Sequence, residues 1–135
     1  MGETGAYSGQ INRNLSAGHQ ITDQLQGIVG ALSDIVMDVY AIESSLRRAQ
    51  KAASARAQVA GLMGDAARAL IYDALDRIEK SARTALAATA EGDVLTTQLA
   101  ALRRFAKHSP VNTIALRERL ADAVLAQDRY PFEGR

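Results

Sequence analysis

The sequence predicts an all-α fold, an antiparallel helical bundle of about four helices, two long and two shorter. Three observations predict it. The chain is 47% hydrophobic but only 4% aromatic, so its apolar side chains are mostly Ala, Leu, Ile and Val. Of these, Ala and Leu rank highest as helix formers. Two prolines in 135 residues leave long stretches free of breakers. Along those stretches apolar residues recur every three or four positions, the period of a helix with one buried face.

The elements follow in order. Residues 1–20 open with "MGETGAYSGQINRNLSAG", hold four glycines up to Gly18 and show no sustained period. They read as a linker or an appended end, with a short helical turn around Ile11 to Leu15. The helical bundle is expected over 21–135. Ile21, Leu25, Ile28, Leu32, Ile35, Val39, Ile42, Leu46 and Ala49 are spaced 4, 3, 4, 3 throughout, with Val29 and Val36 widening the stripe. Such a heptad implies one long helix with that stripe buried against its partners. Gly27 and Gly30 each weaken it by about 1 kcal/mol relative to Ala and mark a close helix–helix approach. Tyr40, within this run, and Tyr72, in the next, are expected in the core with their hydroxyls on polar neighbours.

The segment "KAASARAQ" (51–58) lacks a large apolar side chain and is the expected connection. A second helix then carries Val59, Met63, Ala66 and Leu70, followed by Ile71, Leu75, Ile78, Ala82, Ala85 and Thr89. Gly92 suits the residue after a helix end, and Asp93 the next N-cap. The third helix, about 94–108, buries Leu95, Leu99, Leu102 and Ala106, and Pro110 disfavours helix at Ser109. Asn112 caps a fourth helix with Ile114, Leu116, Leu120, Ala123 and Val124 inward. Pro131 ends it, and Phe132 folds back over the helix end.

Composition narrows the function. Sixteen Lys and Arg against fifteen Asp and Glu give a net charge of +1, which argues against a nucleic-acid footprint. The absence of cysteine excludes disulfide and thiolate chemistry. No uninterrupted apolar run approaches the roughly 18 residues of a membrane span, and no basic-then-apolar leader opens the chain. Ala6 stands where a myristoylation signal wants Ser or Thr. The chain therefore reads as soluble and cytoplasmic, with a position peripheral to a membrane as the alternative, for which the residues give no support.

Chemistry is sparse. His19 and His108 lie far apart, neither starts an H-E-x-x-H, and no Glu-x-x-His occurs, so no metal site is expected. The early glycines lack the spacing and the preceding strand of a dinucleotide loop. No nucleophile-elbow pattern is present. Asp34, Asp38 and Glu43 fall outside the apolar stripe and read as a solvated face. Arg103, Arg104 and Lys107 gather in "LRRFAKHS" at the end of the third helix. Favourable placement at a helix C-terminus accounts for them, with contact to an anion as the alternative. The residues by themselves give a packing or interface set, Ile28, Val29, Leu32, Ile35, Val36, Val39, Ile42 and Leu46, and no catalytic, cofactor-binding or metal residue.

A family resemblance extends this. "IVMDVYAIESSLRRAQKA" resembles the start of the helical C-terminal domain of very-long-chain-type acyl-CoA dehydrogenases. "ALIYDALDRIEKSARTAL" resembles the helix that follows it there. The tail "LRRFAKHSPVNTIALRERLADAVLAQDRYPF" resembles the end of bacterial members, and the resemblance covers about residues 21–132. It implies a noncatalytic accessory and oligomerisation domain of an FAD-dependent enzyme of fatty acid β-oxidation. The flavin and the catalytic glutamate would belong to the preceding domain, so no cofactor is expected in this chain. The implied partner is the dehydrogenase core of the same polypeptide or a sister subunit, with a homo-oligomer expected in isolation. The alternative is a freestanding helical interaction protein, phasin-like or a coiled-coil scaffold.

Overall fold

The computed structural model describes residues 3–55, 57–127 and 132, with side chains for 16–55, 59–126 and 132. All of its regular structure is helical: α1 (Glu3–Ala55), α2 (Ala57–Thr89), α3 (Gly92–Phe105) and α4 (Thr113–Gln127). The two long and two shorter helices expected from the sequence are present. α1 and α2 form an antiparallel hairpin, with Gln24 donating from Nε2 to the Ala88 carbonyl (3.1 Å) and Arg77 paired with Asp38 further along. α3 and α4 both pack on α2, and among the described helices α1 packs on α2 alone. The central element is therefore α2.

Several boundaries follow the local chemistry. α1 ends at Ala55 and α2 begins at Ala57, inside the segment poor in large apolar residues. Asn112 caps α4, its Oδ1 accepting from the Ala115 N–H at 3.0 Å. Gly92, the first residue of α3, adopts φ +58, the left-handed region where a side chain is costly. The N-cap of α3 is Glu91 rather than Asp93, which lies in the first turn, where a carboxylate is favoured by the helix dipole.

Residues 3–20 are helical and continuous with α1, where the sequence suggested a linker. Glycine lowers helix propensity without forbidding the conformation, and propagation from an existing helix needs no new nucleus. α2 ends near the level of Gln24. The preceding 21 residues of α1 thus run about 30 Å past it at 1.5 Å per residue. The expectation on Pro131 lies outside the described residues.

The core is made of small side chains. Among the described residues the buried apolar set is Ala31, Ala52, Ala67, Ala69, Ala74, Ala85 and Leu116, and Ala74 is fully covered. Alanine at these positions lets helix axes approach closely, and the half-buried Ile28, Ile35 and Ile42 line the same seam. This corrects the sequence reading of α1. The side facing α2 follows 24, 28, 31, 35, 38, 42, 45, 49 and 52, a heptad that shares its isoleucines with the expected stripe. Its alternate layers are Ala31, Asp38, Ser45 and Ala52 instead of Leu25, Leu32, Val39 and Leu46. The close approach permitted by alanine on α2 is satisfied by small residues on α1 and leaves the larger ones outside.

Other inward assignments shift for the same reason. Ile114 and Val124 are exposed on α4, while Leu116 is 3% exposed. α3 lies on α2 with Leu95, Leu99 and Leu102 only half-buried. α1 also departs from the membrane expectation: within Ser16–Ala55 it holds an 18-residue window of mean hydropathy 1.4 that is 6% buried. By length and composition that suffices to cross a bilayer, because two apolar stripes on one helix raise the average without any uninterrupted run.

Candidate interaction surface

The exposed residues of α1 form a second heptad. Leu25, Val29, Leu32, Val36 and Val39 are spaced 4, 3, 4, 3 and lie about 100° around the helix from the seam on α2. Their exposures run from 51% at Leu32 and Val39 to 68% at Val36. Tyr40, expected in the core, is 71% exposed beside them. Ile21 extends the stripe towards the N-terminus and Leu46 beyond its other end, both exposed. The eight packing or interface residues named from sequence thus divide. Ile28, Ile35 and Ile42 turn towards α2, and Val29, Leu32, Val36, Val39 and Leu46 face away from it.

Fully burying a Val or Leu side chain removes about 60–120 Å² from water, the area equivalent of 1.5–3 kcal/mol. At the observed exposures, Ile21, Leu25, Val29, Leu32, Val36, Val39 and Tyr40 therefore offer about 300–500 Å² of uncovered apolar surface. A patch of that size matches the largest on a typical monomer, and such patches are often functional.

Charged pairs fix the helices behind this face. Arg77 Nε lies 3.1 Å from both Oδ atoms of Asp38, whose side chain is only 14% exposed. The sequence placed Asp38 on a solvated face; it sits instead in the α1–α2 seam, where an unpaired carboxylate would be costly. Arg119 binds Asp65 in the same two-pronged way (2.9 and 3.0 Å), and Arg117 joins Asp73 to the start of α4. The Arg119 hydrogen bond holds the Asp65 carboxyl below its usual range of 3.8. None of these arginine–aspartate pairs shows in helical periodicity, because the partners come from different helices. Exposed pairs of this kind add about 0–1 kcal/mol each, so their main effect is register.

The opposite flank of the hairpin carries an open groove of about 650 Å³, with Gly27, Gly30 and Ala31 on α1 and Arg77, Lys80 and Thr84 on α2. A methyl added at Gly27 or Gly30 meets nothing within 4 Å, so these glycines do not mark the close helix approach expected of them. Arg103, Arg104 and Lys107, the candidate anion contacts, are exposed at the end of α3. Arg103 Nε donates to the Leu99 carbonyl at 3.3 Å, and Phe105 between them is 86% exposed. Tyr72 meets the His108 ring edge-on, with centroids 5.4 Å apart. Phe132 lines two cavities of about 320 and 400 Å³ beside Arg48 and Met63 at the hairpin's closed end. Among the described residues no group of three His, Cys, Asp or Glu is placed to hold a metal ion.

Comparison with known proteins agrees with this geometry. The family model for the acyl-CoA dehydrogenase C-terminal domain matches residues 16–104. A probable acyl-CoA dehydrogenase from Bacillus subtilis (strain 168) is 33% identical over 109 residues, which cover 80% of this chain and 18% of that protein. The chain therefore spans less than a fifth of the length of the relative it matches. No solved structure matches.

Proposed function

Since this chain belongs to the acyl-CoA dehydrogenase C-terminal domain family, we propose that it is a noncatalytic accessory domain which docks through the outer face of α1. The partner is the dehydrogenase core of the same polypeptide or a sister subunit. The observation that carries this is the second heptad, Leu25 to Val39, complete as a packing seam and covered by no helix among the described residues. A seam of regular period is what a helix presents to another packed surface.

The reading assigns no step of acyl-CoA oxidation to these residues. The flavin and the catalytic base would belong to the part of the relatives that this chain does not span. The family match favours this over a freestanding phasin-like protein or coiled-coil scaffold.

The test is to mix the purified chain with a separately produced dehydrogenase core and read amide exchange along α1. Protection centred on residues 25–39, abolished by Val29→Asp together with Val36→Asp, is expected. The chain alone should show neither flavin absorbance nor acyl-CoA oxidation. Either activity, or binding to the core indifferent to the two aspartates, overturns the proposal.

A further inference from the structure

The closed end of the α1–α2 hairpin carries a recess that the outer face of α1 does not share. We propose that this recess binds a small amphiphilic anion, a carboxylate on a medium-length apolar chain. Its residues lie within 45–55 and 59–70, with Phe132, and none of them belongs to the Leu25–Val39 face.

The space comes from alanine. The two cavities, of about 320 and 400 Å³, share Arg48, Met63 and Phe132 as walls, so they adjoin as one trough along the hairpin. The trough runs from Ala55 and Val59 to Ser45 and Leu70, a length of about 15 Å at 1.5 Å per residue. Each volume falls in the range of small-ligand sites, about 300–1,000 Å³. Ala52 and Ala67 are buried where the helices meet, and Ala66 lines the trough beside them. These methyl groups close the seam and fill nothing beyond it. The remaining surface is mostly apolar, from the half-buried Val59, Met63, Leu70 and Phe132.

The charge at its edge selects the ligand. Among the described residues, Arg48 and Lys51 are the only charged side chains lining the trough, and both are exposed. Neither makes an ion pair among the described residues. The acids on the same stretches of the two helices are engaged elsewhere: Glu43 with Arg47, Asp65 with Arg119 and, just beyond Leu70, Asp73 with Arg117. Two cations without a counter-charge, beside an apolar trough, match an anionic head and an apolar body in one molecule. The head accepts charge-assisted hydrogen bonds from Arg48 and Lys51, and the body lies along Met63 towards Leu70. A cationic amphiphile of the same length is repelled.

Methionine gives a reading confined to the site. Met63 lines both cavities, whereas Met37 is 60% exposed beside the outer face of α1. The whole chain is labelled with carbon-13 at its methionine methyls and titrated with decanoate below the micelle concentration. Expected is a saturable shift of the Met63 signal with Met37 unmoved. Decyltrimethylammonium and inorganic phosphate should leave Met63 in place, the first for lack of an anion and the second for lack of an apolar body. Arg48→Gln with Lys51→Gln, both at exposed positions, should keep the helicity and weaken decanoate binding about tenfold or more, as loss of a charge-assisted hydrogen bond requires. An unmoved Met63, or Met37 and Met63 shifting together, would overturn the site. So would an equal response to the cationic amphiphile or to phosphate, or unchanged affinity in the double variant. Amide exchange over residues 25–39 reads core binding separately, so either result stands or falls without the other.

Discussion

Replacing Ala74 with Leu tests the packing on which everything else rests. Ala74 is 0% exposed, at the middle of α2, one turn from Arg77 and its ion pair with Asp38. Three added carbons have no room between helices that alanine allows to approach closely. Overpacking of a tight core costs about 1–3 kcal/mol, and a three-carbon insertion at a fully covered site belongs at the upper end, about 3 kcal/mol. For a chain of this length, 1 kcal/mol shifts Tm by about 3–4 °C, so a fall of about 10 °C is expected in a thermal melt followed by circular dichroism. Ala87→Leu is the control: Ala87 is exposed on the same helix, and the change alters helix propensity by only a few tenths of a kcal/mol. If Ala74→Leu melts with the control, the helices do not close on α2 at that layer and the alanine-lined core is wrong.

Leu32→Ala should cost only about 1 kcal/mol in urea unfolding of the Val29→Asp, Val36→Asp background, since Leu32 is already 51% exposed and leaves no closed cavity. A loss of 2–5 kcal/mol would mean that it is core. Asn112→Ala should lower stability by about 1 kcal/mol through loss of the cap on Ala115, with Asn112→Gly milder, both read by urea midpoint. The Asp65 carboxyl is held below 3.8 by Arg119, so its folded pKa lies under the unfolded one. That contribution is present above the unfolded value and disappears as pH falls through the folded one. Arg119→Ala should therefore destabilise at pH 7 and converge on the parent protein at the most acid pH; a constant difference from pH 7 to 2 would refute the pairing.

Much of this fold was legible in the sequence. Ala-rich composition and the 3.6-residue period of four segments determine an all-α chain, and local chemistry places its breaks: Asn112 as cap, Gly92 at a turn, a junction where large apolar residues run out. The family was legible as well, in "IVMDVYAIESSLRRAQKA" and "ALIYDALDRIEKSARTAL", both within the residues the family model matches, while the tail from Leu102 lies almost wholly beyond them. These signals are local, carried by neighbours in the chain. Which stripe of α1 is inside was not. Two heptads run side by side on that helix, and the stripe read from the sequence takes its isoleucines from the inner one and its leucines from the outer one, so periodicity merges them into one wide apolar face. Only the approach of α2 separates them. Its alanines bring the axes together and select Ala31, Asp38, Ser45 and Ala52 for the seam, while Leu25, Leu32 and Val39 stay on the surface. The same holds for Asp38, polar by sequence and nearly buried in fact, because its arginine arrives from a residue 39 positions away. Sequence determined what each helix is; the spacing between helices decided which of its faces this chain keeps and which it leaves uncovered.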